Sequence, residues 1–250
     1  MSIEIRRVDL DRSASALDEA ERAFAVLSEP EAARAAAIRD VQDRARWRAS
    51  HIALRLLIER AGGAQMRRQP FTIAPGGRPE LKQVPVSFSL SHSGDVAMIA
   101  ICSAAAGPIG IDVERARIVH MAPERRARIE AYALELAPGR DLPVTTAATT
   151  DAITEAITEA RLLQAWVRIE ALAKASGSGI GKTLTQAGVM GSPEAAELRK
   201  SSGVLFAVRD LDAGAGTYAA VAALVLPENL KVAAFPCDRD GVLGLLPGHL

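Results

Sequence analysis

The sequence predicts an α+β protein made of two similar halves, related by a pseudo-two-fold axis, each a small antiparallel sheet with packed helices. A helical segment precedes two strand-like segments at residues 86–102 ("VSFSLSHSGDVAMIAIC"), and the same order recurs at residues 204–226 ("VLFAVRDLDAGAGTYAAVAALVL"). Glycines near Gly107–Gly110 separate the two arrangements. The halves are therefore expected to span residues 1–108 and 109–250.

The first half begins with two helical regions. Apolar residues recur at helical spacing at Leu17, Ala20, Phe24 and Leu27. They predict an amphipathic helix over residues 14–28, and a second helical region is expected from Pro30 to Ala61, closed by Gly62 and Gly63. One face of the second region is basic: Arg39, Arg44, Arg46, Arg48 and Arg55.

The period then changes to that of strands. Residues 71–81 ("FTIAPGGRPEL") predict a short strand followed by a Pro-Gly-Gly turn. Residues 86–91 alternate apolar side chains with serines, which is typical of a half-buried strand. Residues 96–102 are mostly apolar, and we expect this strand to be buried on both faces.

In the second half, a strand at residues 110–114 ("GIDVE") precedes a helix predicted from Pro123 to Leu136. A Thr/Ala-rich segment, residues 143–156, has the composition of a linker. The longest helix of this half is expected near residues 152–175. The tail beyond Pro227 is rich in Gly and Pro, and we expect it to lie on the surface.

Composition excludes several classes of function. Thirty basic and thirty acidic residues cancel, which argues against a general nucleic-acid or membrane-surface binder. Two cysteines and four scattered histidines offer neither a disulfide framework nor the spacing of a zinc site. The first residues, "MSIEIRRVDLDRS", lack the apolar stretch of a secretory signal. A cytoplasmic location is therefore expected, and two halves in one chain make a monomer the simplest expectation.

Two carboxylates share one face of the "GIDVE" strand. Asp112 and Glu114 point to the same side because side chains alternate along a strand. The pair fits either a solvated edge strand or a cation site, since two close negative charges repel when they are buried without a counter-charge. The pair alone leaves both readings open.

A second acidic group lies on the predicted long helix. Trp166, Glu170 and Lys174 recur at intervals of four residues, so they lie on one stripe. An ordinary exposed Glu–Lys pair is one reading. The tryptophan favours a stripe that faces inward, where three carboxylates could share one Mg²⁺.

The turn "SLSHSGD" carries small hydroxyls and an imidazole. Ser91, His92 and the backbone N–H groups of the turn suit an anion. A simple turn with a hydrogen-bonded histidine is the alternative. A serine nucleophile with His92 as its base is a further option, although no Gly-x-Ser-x-Gly elbow accompanies it.

"SGSGIGKT", residues 176–183, approaches the phosphate-binding P-loop pattern but is rejected. The first required glycine is Ser176, and a predicted helix precedes the loop where the P-loop needs a strand. Gly177 and Gly179 are expected to end a helix instead.

Taken in order, these motifs resemble the 4′-phosphopantetheinyl transferase family, in its larger, monomeric, two-halved (surfactin-synthetase-activating) class. The resemblance covers residues 40–225 and runs through "GGRPEL", "FSLSHSGD", "GIDVE" and "WVRIEALAKASGSGI". It implies Mg²⁺-dependent transfer of 4′-phosphopantetheine from coenzyme A to a serine of an apo acyl- or peptidyl-carrier protein.

The resemblance also implies roles for individual residues. In that family the acidic pair and the helical glutamate bind Mg²⁺, which implies Asp112, Glu114 and Glu170 here. The implied coenzyme A contacts are Arg46, Arg78, Ser91, His92 and Lys174. The implied catalytic residues are Glu170 and Lys174, with Glu170 as the candidate base.

Two departures from the family pattern concern the second half. The family usually has Lys directly before the helical glutamate, whereas this chain has Ile169, and its F-S-x-x-E motif has no clear match here. A non-catalytic coenzyme A- or carrier-binding protein is therefore the alternative function. A Mg²⁺-dependent hydrolase of nucleotide pyrophosphates would use similar residues.

Overall fold

The structure is a computed structural model that describes residues 2–81, 84–143, 151–190 and 205–246. It is a mixed α+β fold, as the sequence predicted, and the pseudo-two-fold relation of the halves stays a prediction compatible with it. No helix in these ranges is long and apolar enough to cross a membrane.

The first sheet has four strands, in the order β4-β5-β1-β9. Its strands are β1 (Ile3–Asp9), β4 (Val86–Ser93), β5 (Val96–Ser103) and β9 (Val232–Ala234). All neighbours are antiparallel except β1 and β9, which are parallel. Helices α1 (Leu10–Phe24), α2 (Glu29–Ala37) and α3 (Val41–Gly62) precede the small hairpin of β2 (Thr72–Ile73) and β3 (Pro79–Glu80).

The second sheet is antiparallel, in the order β6-β8-β7. Its strands are β6 (Ile109–Arg115), β7 (Ala207–Leu211) and β8 (Thr217–Ala223). Its helices are α4 (Pro123–Leu136), α5 (Asp151–Ser176) and α6 (Ile180–Gln186), and α7 (Arg239–Leu243) follows in the tail. Helix α5 packs on β6 and β8.

The two sheets pack face to face through an apolar layer. Strand β5 shows why: Val96, Met98 and Ala100 point into the layer between the sheets, whereas Ala97 and Ile99 point into the core under α1 and α3. This alternation confirms the expectation that the strand is buried on both faces. On β6, Ile111 and Val113 face the same inter-sheet layer, so the other face of β6 is left to α5.

The helix boundaries of the first half differ from those predicted. Asp9 caps α1 by accepting from the Arg12 N–H, so this helix begins earlier than predicted and ends at Phe24. The expected single helix from Pro30 to Ala61 is two helices, because Ile38 is extended and Asp40 starts α3 by accepting from the Asp43 N–H. The strand β1 was not predicted.

The expectation that the tail lies on the surface is wrong for part of it. Strand β9 pairs with β1, and α7 packs against α1. Phe235 and Val242 are buried in the core of the first half because they supply apolar surface to it. The tail thus returns to the first half from beyond residue 109, and the predicted domain boundary stays a prediction.

Candidate active site

Serines of β4 join the two sheets where their edge strands meet. The hydroxyl of Ser89 accepts from the Ile111 N–H at 3.0 Å, and that of Ser93 accepts from the Arg115 N–H at 3.1 Å. These two N–H groups lie on the edge of β6 that no described strand pairs, so the hydroxyls satisfy donors that would otherwise need water. The alternating serines of the sequence therefore form a seam between the halves.

The same seam holds the two carboxylates of β6. Ser91 Oγ donates to Asp112 Oδ1 at 2.7 Å, and Ser93 Oγ donates to Glu114 Oε2 at 2.9 Å. Asp112 is only 5% exposed. Burial raises the pKa of Asp112, an effect that Lys174 and Ser91 oppose and that the charge of Glu114 reinforces. The pair is therefore not the solvated face of an edge strand.

The helical pair on α5 meets these carboxylates. Lys174 Nζ lies 2.7 Å from Asp112 Oδ1 and donates to the Ile111 carbonyl at 3.1 Å. Glu170, one turn earlier, is half-buried. Burial raises the pKa of Glu170, and the charges of Asp112 and Glu114 raise it further against the opposing effect of Lys174. The expected inward-facing stripe is thus present, with three carboxylates close enough to influence one another.

Gly110 allows this approach of α5 to β6. A Cβ atom at Gly110 would lie 2.1 Å from the Ala171 carbonyl oxygen and 2.4 Å from the Ala175 nitrogen. Real Cβ atoms do not come so close to backbone atoms, so a side chain at this position would push the helix away. The glycine before the acidic pair therefore sets the distance between Asp112 and Lys174.

A cavity of about 300 Å³ opens beside this cluster. Its polar lining includes His51, Arg78, Ser89, Glu170 and Lys174, and its apolar walls include Phe71, Phe88 and Leu90. A mostly apolar cleft with a few convergent polar groups is the usual form of a small-molecule site. The cavity takes residues from both halves of the chain.

Arg78 ties the β2–β3 hairpin to the end of α5. Its Nη1 donates to the Ala175 carbonyl at 2.9 Å, and its Nε donates to Glu80 at 3.1 Å. A Cβ at Gly76 would lie 1.3 Å from the Gly177 carbonyl oxygen, so the two glycine loops touch directly. Arg78 lines the cavity as well, and its contact with coenzyme A stays a prediction.

Two predicted phosphate contacts, His92 and Arg46, lie in different surroundings. His92 is exposed at the end of β4, yet partial removal from water and the positive charges of His51 and Lys174 lower the pKa of its imidazole. Arg46 is bound by Asp11 through two hydrogen bonds of 2.9 and 2.7 Å, and it does not line the cavity. The predicted phosphate contacts of both residues remain predictions.

Arg168 does not replace the lysine that the family has before its helical glutamate. Its guanidinium is fully buried and binds Asp210 at 2.8 and 2.7 Å and the carbonyls of Ala133 and Arg140. Ile169 is buried in the core between α4 and α5. Both residues stabilise α5 rather than reach the cavity.

Sequence reasoning missed a buried network beside the cavity. Glu31 binds Arg55 at 2.6 Å and lies 3.0 Å from Nδ1 of His51, which lines the cavity. Burial alone would raise the pKa of Glu31, but hydrogen bonds from His51, Arg55 and Ser28 outweigh it and lower the pKa to about 2. The only signal in the sequence is that His51 and Arg55 are one helical turn apart.

Asp112, Glu114 and Glu170 suit a divalent cation by donor type and by charge. All three offer carboxylate oxygens, the donors that Mg²⁺ prefers. Lys174 pairs with Asp112 and Arg117 pairs with Glu114, whereas Glu170 has no ion pair among the described residues. Burial raises the pKa values of Asp112 and Glu170, and the neighbouring carboxylates raise them further. Within the described ranges, however, no three acidic, histidine or cysteine side chains are already placed as ligands around one point.

The loop "SGSGIGKT" is not a P-loop. Helix α5 ends at Ser176 and α6 begins at Ile180, so a helix precedes the loop, as predicted. Ser176, Ser178 and Thr183 bind one another through their hydroxyls. The loop therefore caps two helices and joins them.

Comparison with known proteins gives one informative relative. No family model matches the sequence. The chain is 30% identical over 169 residues to a Synechocystis protein described as a "putative 4′-phosphopantetheinyl transferase". The match covers 65% of this chain and spans 61% of the length of that relative. The larger, two-halved class stays a prediction. The resemblance of this chain to the 4′-phosphopantetheinyl transferase family is confirmed over that matched part.

Proposed function

We propose that this protein transfers 4′-phosphopantetheine from coenzyme A to a serine hydroxyl of an apo acyl- or peptidyl-carrier protein, with Mg²⁺. One observation carries the proposal: Lys174 and Glu170 of α5 meet Asp112 and Glu114 of β6 beside a cavity that both halves line. The description of the Synechocystis relative supports the same activity. Cytoplasmic location and a monomeric state stay predictions.

Lys174 is the residue that neutralises the pyrophosphate of coenzyme A. Asp112 and the Ile111 carbonyl fix its ammonium at the mouth of the cavity, so little side-chain freedom remains to be lost when an anion binds. In phosphoryl transfer, charge neutralisation and positioning supply most of the rate. Lys174 therefore stabilises the negative charge that develops as the bond to 3′,5′-adenosine bisphosphate breaks.

Glu170 is the base that accepts the proton of the carrier serine. Its carboxylate is hydrogen-bonded to no described residue, and burial beside Asp112 and Glu114 raises its pKa towards the range in which a general base is effective. The serine oxygen then bonds to the phosphorus of the phosphopantetheine, and the bond to the leaving phosphate breaks. The proton remains on Glu170 until solvent removes it.

The metal site consists of Asp112, Glu114 and Glu170. Bound Mg²⁺ supplies positive charge that offsets the pyrophosphate and lowers the repulsion among the three carboxylates. Ser91 and Ser93 orient Asp112 and Glu114 by donating one hydrogen bond to each. Ser91 and Lys174 both donate to Oδ1 of Asp112, which leaves its Oδ2 for a ligand, whereas Arg117 donates to the second oxygen of Glu114.

The test is to incubate the protein with coenzyme A, Mg²⁺ and an apo carrier, and to weigh the carrier by mass spectrometry. A phosphopantetheine adduct supports transfer, which chelation with EDTA should abolish. Intact coenzyme A without an adduct supports binding alone, and cleaved coenzyme A without an adduct supports hydrolysis. Glu170→Gln should reduce adduct formation at least about 100-fold, the lower end of a general base's contribution. Glu228→Gln, at an exposed loop residue, should not.

A further inference from the structure

The two oxygens of Glu114 are held by different kinds of partner. Oε2 accepts from the Ser93 hydroxyl at 2.9 Å, and that hydroxyl in turn accepts from the Arg115 N–H at 3.1 Å. Oε1 accepts from Arg117 Nη2 at 3.0 Å. Both oxygens of this carboxylate therefore have a partner within the protein, in contrast to Asp112, whose Oδ2 accepts no hydrogen bond from the described residues.

The partner on Oε2 is fixed, whereas the partner on Oε1 can leave. Ser93 belongs to β4, and its hydroxyl bridges Glu114 to the backbone of β6. Arg117 follows the end of β6, and its side chain is 51% exposed, against 17% for Glu114. Among the described residues, one hydrogen bond, to Glu114, holds its guanidinium. Because an exposed guanidinium regains water when it leaves, Oε1 is the oxygen that can be released at low cost.

A groove beside Glu114 gives the released side chain a place. Arg117 lines a cavity of about 340 Å³ together with Glu155, an exposed carboxylate of α5. The backbone before Arg117 is anchored, because the Ala116 N–H donates to the Gly216 carbonyl at 2.8 Å. The guanidinium can therefore turn from Glu114 towards the groove without movement of the strand.

A cation on Oε1 and the Arg117 guanidinium exclude each other. Mg²⁺ lies about 2.0–2.1 Å from its oxygen ligands. Arg117 Nη2 is 3.0 Å from the same oxygen, so the two positive groups would lie at most about 5 Å apart. Like charges at this distance repel, and the ion can bind to Oε1 only if the guanidinium moves away.

We propose that Arg117 is a counter-ion that competes with the divalent cation for Oε1 of Glu114, and that Ser93 is a positioning residue that keeps the carboxylate in place during the exchange. The ion pair compensates the charge of Glu114 without the metal and lowers the affinity for the ion. When the ion binds, the guanidinium moves from Oε1 into the groove. This inference rests on the proposed function, because it takes Glu114 as a metal ligand.

Calorimetric titration of Mg²⁺ into matched variants, with and without coenzyme A, tests the competition. Arg117→Met removes the competitor, and we expect it to tighten Mg²⁺ binding about 2- to 5-fold, the equivalent of an exposed ion pair. Arg115→Met removes an equal charge nearby, but that guanidinium pairs with Asp95, so its effect should be smaller. Ser93→Ala should weaken Mg²⁺ binding, and Ser93→Thr, which retains the hydroxyl, should recover part of the loss.

The outcomes separate this inference from the proposed function. Unchanged Mg²⁺ affinity in folded Arg117→Met, or an equal gain in Arg115→Met, overturns the inference alone. Tighter Mg²⁺ binding by Arg117→Met, without transfer by the unaltered protein to any apo carrier, overturns only the transferase proposal. Failure of the unaltered protein to bind Mg²⁺ under either condition overturns both.

Nitrogen NMR of the unaltered protein observes the exchange directly. The Arg117 side-chain signal is assigned by its loss in Arg117→Met. The ion pair with Glu114 restrains rotation of the guanidinium about its Nε–Cζ bond, so Mg²⁺ should make this rotation faster. An Arg117 signal that does not change while Mg²⁺ binds overturns the inference.

Discussion

Replacing Gly110 with alanine tests how the approach of α5 to β6 builds the site. The added Cβ would lie 2.1 Å from the Ala171 carbonyl oxygen, whereas carbon and oxygen normally stay at least about 3.3 Å apart. Both atoms belong to regular backbone, so α5 must move outward by about 1 Å. That movement takes Lys174 Nζ from 2.7 Å to beyond hydrogen-bond distance of Asp112.

The expected cost has two sources. Overpacking of a well-packed interior costs about 1–3 kcal/mol, and loss of a charged hydrogen bond costs a similar amount. Because the same movement causes both, we expect Gly110→Ala to lower the free energy of unfolding by about 3 kcal/mol. Misplacement of a catalytic group by about 1 Å can also cost about 100-fold in rate, so adduct formation should fall by that factor.

Urea unfolding followed by circular dichroism measures the stability change. Gly181→Ala is the matched control, because Gly181 lies in α6 with nothing within 4 Å of an added Cβ. Alanine favours a helix by up to about 1 kcal/mol over glycine, so this control should be neutral or slightly stabilising. A Gly110→Ala protein within about 0.5 kcal/mol of the unaltered one, with normal transfer, would refute the reasoning.

Three further predictions concern the charged residues. Because folding raises the pKa of Glu170, its contribution to stability is present below its ordinary pKa and is lost as the pH rises through the pKa of the folded state. Glu170→Gln should therefore be more stable than the unaltered protein at neutral pH. Thermal unfolding of both proteins at about pH 5 and 8 measures this difference in stability. An equal change of the melting temperature with pH in the two proteins would contradict it. Glu31, with a pKa of about 2 against an ordinary 4.5, adds about 3 kcal/mol above pH 4.5 that is lost as the pH falls towards 2. Glu31→Gln should remove this loss of stability at acid pH when the free energy of unfolding is measured at several pH values. If the free energy of unfolding of the variant and of the unaltered protein changes with pH in the same way, the assignment is wrong. Arg168→Met should cost about 3 kcal/mol, because it leaves half-buried Asp210 without its ion pair, and Asp210→Asn in the same protein should recover part of it. The urea concentrations at the unfolding midpoints of the single and the double variant measure this recovery.

The local pattern of apolar residues predicted most of the helices and strands, because its periodicity follows from the burial of one face. Strand β5 alternates between two cores and α4 matches its predicted span, since in each case one face packs on a neighbour. The stripe of Glu170 and Lys174 was recognised for the same reason. Elements that depend on distant partners were not predicted. β1 has a mixed polar and apolar sequence, and it is a strand because β5 and β9 flank it.

The sequence predicted the acidic residues of the candidate site but not the residues that hold them in place. The serine alternation of β4 indicated a polar face, yet only the meeting of two sheet edges shows that Ser91 and Ser93 hold Asp112 and Glu114. The contact of His51 with Glu31 joins residues on two helices, and a single sequence carries no record of such pairing. Arg168 lies two residues before Glu170, and its burial against Asp210 follows only from the packing of α5.

The electrostatics of the seam link stability to the proposed chemistry. Lys174 pairs with Asp112 and Arg117 pairs with Glu114, whereas Glu170 has no ion pair among the described residues. Burial and the neighbouring carboxylates raise the pKa of Asp112 and of Glu170, so these groups disfavour the folded protein at neutral pH unless a proton or a cation binds. A divalent ion bound by these carboxylates would therefore compete with protons. A cluster that served stability alone would pair each buried charge, as Arg168 does with Asp210, so the unbalanced charge at this seam favours a ligand-binding role.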